Sequence, residues 1–163
     1  MLSLSEWQTF FSVQAETAAT LTGLVFVAVS INLARILTSP GLPGRAAETI
    51  AQFLQVFFIS TAVLIPGQKS RPLAAEILGL TLLCWVLQVG VQVKYATHRA
   101  GHPTLWIASR IVQTQLCSIP LFLAGFLLLT GSPTAIYWLI PGFFLSFLAG
   151  VINAWVLLVE INR

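Results

Sequence analysis

Glu16 is the one ionisable side chain between Val13 and Leu33. It shares a helical face with Thr20, Gly23 and Ser30 at spacings of four, three and seven. A carboxylate above hydroxyls and a glycine on one face is chemistry for attracting a cation, and rings of such residues select cations at channel mouths. We therefore take Glu16, Thr20, Gly23 and Ser30 as candidate lining of an ion or small-solute pathway. Counting from Val13 places Glu16 near the outer edge of its span. Ala15, Ala19 and Gly23 add a small-xxx-small seam, where another helix backbone can approach closely.

A second constellation is spread over the chain. Asn32, Glu48, Gln52, Gln88, Arg110, Gln113, Asn153 and Glu160 lie toward the same end of the bundle, in or at the edge of their apolar segments. At 1.5 Å per residue, most of them sit roughly 8–14 Å inside one membrane surface. An arginine at that depth faces the bundle interior and finds a partner. Glu48 and Glu160 are the nearest acids in depth, so Arg110 is expected to pair. The amides read first as interhelical hydrogen-bonding groups, with a polar gate or substrate site as the alternative.

Catalytic chemistry is poorly represented. Aspartate is absent, the five glutamates are scattered, and no Gly-x-Ser-x-Gly, His-Glu-x-x-His or phosphate loop occurs. His98 and His102 are four apart, but Gly101 and Pro103 break a helix there, and two ligands make no metal site. Cys84 and Cys117 fall inside apolar segments and read as small core residues. We expect no catalytic site, cofactor or metal.

The elements that position these groups follow from composition. Of 163 residues, 57% are hydrophobic and 8% charged, with mean hydropathy +0.90. Soluble domains carry about 25% charged residues, so the solvent here is lipid. Net charge is +3 without any basic cluster, which excludes a nucleic-acid partner. Apolar runs separated by Pro/Gly turns predict one all-α bundle over residues 1–163. Its five spans cover about 10–37, 46–65, 73–95, 104–130 and 134–160. No basic residue precedes the first run, which is too long for a signal-peptide core, so it is expected to stay as an anchor. Ser3 and Glu6 have capping-box spacing, Pro120 should kink the fourth helix, and Ser132-Pro133 should cap the fifth.

Lys69 and Arg71 lie on the side of the N-terminus. Arg35, Arg45, Lys94, Arg99 and Arg163 lie on the other, with Arg110 just inside. The positive-inside rule puts the N-terminus outside and the C-terminus in the cytoplasm.

Gly23–Leu33 (GLVFVAVSINL) and Asn153–Ile161 (NAWVLLVEI) resemble segments of a family of small uncharacterised bacterial integral-membrane proteins. That resemblance implies the bacterial inner membrane and no particular activity. Ala18–Ala28 (AATLTGLVFVA) is similar to the pore helix of the Orai calcium channels. Those channels have four spans with the N-terminus inside, whereas five spans with it outside are expected here, so no residue is carried over. The expected function is a self-associating membrane protein with an ion or small-solute pathway. The alternative is an accessory subunit of a larger membrane complex.

Overall fold

The computed structural model describes residues 4–38, 41–97 and 104–161, with side chains described for 7–38, 41–94 and 108–159. It is all-α: α1 (Leu4–Ile31), α2 (Leu33–Thr38), α3 (Leu42–Val63), α4 (Ser70–Thr97), α5 (Thr104–Leu129), a 3-10 turn (Ala135–Trp138) and α6 (Leu139–Ile161). Five segments are long and apolar enough to cross a membrane: Trp7–Ile31, Leu42–Val63, Ser70–Lys94, Ala108–Leu129 and Ala135–Val159. They mark a multi-pass membrane protein.

Turn chemistry sets the boundaries. Gly41 caps α3 with φ +93°, a conformation that suits glycine, and Pro43 occupies its first turn. The helix thus begins earlier than the apolar run suggests. At the end of α5, the Gly131 N–H bonds the Leu128 carbonyl and the Ser132 N–H bonds the Leu127 carbonyl. Together with Gly131 at φ +75°, this is a Schellman motif, which satisfies carbonyls that lipid would leave bare.

Two expectations change. The first helix is interrupted at Asn32, so its last residues form the separate α2. Ser132 does not cap α6 directly; its Oγ accepts the Thr134 N–H at 3.4 Å, and the 3-10 turn leads into the helix. Because α4 starts at Ser70, Glu76 lies beyond its first turn and accepts a hydrogen bond from Gln68 Nε2 at 2.6 Å. The Ser3/Glu6 pair lies outside the described residues and side chains.

Helices α3, α4, α5 and α6 form a ring in which each packs on the next and α6 returns to α3; α1 lies outside the ring against α3. The ring is close-packed because glycines remove side chains at the crossings. A Cβ on Gly142 would overlap Leu121, and one on Gly150 would overlap the Phe53 ring. One half of the core, toward the α3–α4 and α5–α6 turns, is apolar and includes Val56, Ile59, Ile77, Leu121, Leu139 and Phe143. The other half is polar.

Candidate functional site

α3 builds the polar half. Arg45, Glu48, Thr49, Gln52 and Gln55 recur at spacings of three and four, and each is at most 5% exposed. Glu48, Gln52 and Gln55 therefore share one face, and that face points inward. α4 contributes Gln88 and Gln92, α5 Arg110 and Thr114, and α6 Asn153, all buried.

Arg110 reaches across the ring to Glu48. Its Nε donates to Glu48 Oε2 at 3.1 Å and its Nη2 to the same oxygen at 2.5 Å. Beside this pair, Gln92 Nε2 donates to Thr114 Oγ1 at 2.7 Å, and Thr114 Oγ1 donates to Gln88 Oε1 at 3.5 Å. Trp85 Nε1 donates to Gln115 Oε1 at 3.2 Å, which ties α4 to α5 once more. Charge-assisted bonds of the Arg110 type are about twice as strong as neutral ones. The remaining atoms are not all matched. Glu48 Oε1, Gln52 Oε1, Gln55 Nε2 and Gln92 Oε1 are buried without a hydrogen-bond partner among the described residues. A run of such atoms is the setting in which buried water is held.

The eight residues assigned to the layer are only partly brought together. Glu48, Gln52, Gln88, Arg110 and Asn153 are interior. Gln113 is half-buried and lines a cleft between α5 and α6. Asn32 does not join. Its Nδ2 donates to the Ala28 carbonyl of its own helix at 2.9 Å, because α1 stands outside the ring. The side chain of Glu160 lies outside the described residues, as do His98 and His102. Sequence depth alone passed over Arg45, Gln55, Gln92 and Thr114. The signal was there in the α3 periodicity, which continues through Arg45, and in the Gln88/Gln92 spacing.

The α1 candidates sit differently. This helix packs through Trp7, Phe11, Gln14, Ala18, Leu21, Val25 and Ala28, alternating four and three residues apart, all buried or half-buried. Trp7 stacks edge-on against Tyr137 at 5.1 Å and Phe11 against Phe143 at 6.1 Å. Glu16, Thr20, Gly23 and Ser30 are exposed on the opposite side. Within this chain, Ala18 makes the close approach, being fully buried, whereas a Cβ on Gly23 would meet nothing within 4 Å. The Ala15/Ala19/Gly23 seam is thus outside the protomer core. Thr20 Oγ1 bonds the Glu16 carbonyl at 2.8 Å and Ser30 Oγ the Phe26 carbonyl at 2.7 Å, so both hydroxyls are satisfied locally. Glu16 has no such bond to a described residue.

Trp7 and Tyr137 meet at one end of the bundle, and aromatic residues of this kind are enriched at membrane interfaces. Glu16 lies nine residues further along α1, about 13 Å deeper. By length and composition the candidate span runs from Trp7 to Ile31, so Glu16 lies nine residues inside its first residue.

Among the described residues, no group of three His, Cys, Asp or Glu side chains is placed to hold a metal ion. Comparison of the chain with protein-family models, with curated proteins and with solved structures finds no match.

Proposed function

We propose that this chain is a non-enzymatic bacterial inner-membrane protein that self-associates through the outer face of α1, around an ion or small-solute pathway. The observation that carries this reading is Glu16. It is exposed, has no partner among the described residues, and lies well inside the span. A charged side chain at the centre of a lipid-facing helix costs about 2.5–3.5 kcal/mol on insertion scales. Bringing α1 faces together removes Glu16 from lipid, and Gly23, with open space beside it, lets the backbones approach. Like charges assembled round an axis require water or a cation between them, which is the arrangement of an acidic selectivity ring.

In this reading the polar half of the ring holds the protomer together and α1 makes the pathway. The N-terminus is outside and the polar half faces the cytoplasm, following the distribution of Arg and Lys. Cross-linking in native membranes should capture a discrete homo-oligomer, and the purified protein in planar bilayers should pass cations. A monomer that copurifies with a different membrane protein would replace this reading with the accessory-subunit one, in which the partner covers Glu16.

A further inference from the structure

We propose that the cleft between α5 and α6 binds an anionic phospholipid from the leaflet at the C-terminal end of the bundle. The cleft has a volume of about 510 Å³, within the range of about 300–1,000 Å³ typical of small-molecule sites. Its walls include Val112, Leu116, Leu148 and Ile152, each about half exposed on the surface that meets lipid. Arg45, Arg110, Gln113 and Asn153 also line it. Both arginines and Asn153 are at most 5% exposed. Asn153 makes no hydrogen bond to a described residue, and its amide is a polar group in an apolar-walled cleft.

The lining carries two guanidiniums and, among the described residues, no carboxylate. Glu48, the partner of Arg110, is not part of it. Glu48 already holds Nε and Nη2 of Arg110, so the donors suited to the non-bridging oxygens of a phosphate come from the Arg45 guanidinium and the amides of Gln113 and Asn153. Depth agrees. Arg110 lies six residues into α5 and Arg45 three into α3, so both are within about 9 Å of their helix ends, where headgroups sit. An acyl chain then runs along the apolar wall. Basic pockets between membrane helices hold anionic headgroups on this principle. The site lies on the ring and does not require the α1 faces to associate.

The test is native mass spectrometry of the detergent-purified protein with equal amounts of phosphatidylglycerol and phosphatidylcholine of matched chains. The two lipids share a phosphate and differ in net charge. Wild type should retain phosphatidylglycerol about tenfold better, and Arg45→Gln should cut that preference about fivefold. Val112→Trp fills the cleft from its exposed wall and leaves both arginines in the sequence, and should reduce retention of both lipids about tenfold at unchanged helicity. Lys94→Gln, exposed at the same end, should change neither. Equal retention of the two lipids by wild type would overturn the proposal. So would full retention by Val112→Trp, which decides the matter if Arg45→Gln does not fold. Displacement of the lipid by equimolar glycerol phosphate would assign the cleft to a soluble phosphate, and by equimolar oleate to a carboxylate; either result overturns the phospholipid assignment.

Discussion

Arg110 on α5 and Glu48 on α3 meet across the diagonal of the four-helix ring, Nε to Oε2 at 3.1 Å, with each side chain 3% exposed. Their helices are not neighbours in the ring, so the pair bridges two elements that pack chiefly through others. Removing one member strands the other in a low-dielectric interior.

That geometry makes single and double substitutions differ. Breaking a buried pair costs about 3–5 kcal/mol, whereas replacing both members with apolar residues of similar volume is often neutral. Arg110→Ala should lower the thermal midpoint and the yield sharply. Arg110→Met with Glu48→Met should recover most of the loss, and Arg71→Ala, exposed beside the α3–α4 turn, should have no effect. Equal, small effects of Arg110→Ala and Arg71→Ala would remove the pair from the list of stabilising contacts.

The neutral network beside it is weaker. Thr114 accepts from Gln92 and donates to Gln88, and hydrogen bonds between membrane helices average about 0.6 kcal/mol. Thr114→Val keeps the shape and deletes both, so a loss of about 1 kcal/mol is expected, measured by unfolding in mixed micelles. Thr61→Val is the control, since that hydroxyl is exposed and bonds its own helix.

The glycines separate by location. Gly150→Ala drives a methyl into Phe53, and overpacking of this kind costs about 1–3 kcal/mol. Gly79→Ala and Gly90→Ala meet open space and should stabilise α4 by about 0.5–1 kcal/mol. Differential scanning fluorimetry distinguishes the two signs.

Gly23→Leu tests the association proposed for α1. It also meets open space within the protomer, so the ring should keep its stability while the cross-linked oligomer is lost. Glu16→Gln should preserve assembly and lower cation preference, read from reversal potentials. An oligomer that survives Gly23→Leu would place the contact on another face.

Topology is checked by labelling. In a background with Cys84 and Cys117 replaced, a cysteine at Ser70 should react with an impermeant thiol reagent in intact cells, and one at Thr38 should not. Both positions are exposed, so access to the side of the membrane decides the outcome. The reverse pattern would invert the bundle.

By itself the sequence determined the class and much of the interior. Long apolar runs in a chain with 8% charge leave only backbone-satisfied helices as an option in lipid. On α3 and α6 the inward faces were legible because polar residues kept a helical period, whereas the Glu16/Thr20/Ser30 stripe on α1 has the same period and faces outward. Glu48/Gln52/Gln55 on α3 are buried as their spacing implies, as are Ser146/Gly150/Asn153 on α6. Tertiary structure alone decided which similar signals were packed. Gly23 and Gly150 look alike in sequence, both in apolar helices within small-residue patterns. One faces open space and the other the Phe53 ring, because α3, α4, α5 and α6 close a ring that leaves α1 outside. Asn32 has the right depth for the polar layer and is excluded from it for the same reason. Depth along a helix is a property of the chain, but azimuth toward a neighbour depends on which helices pack together.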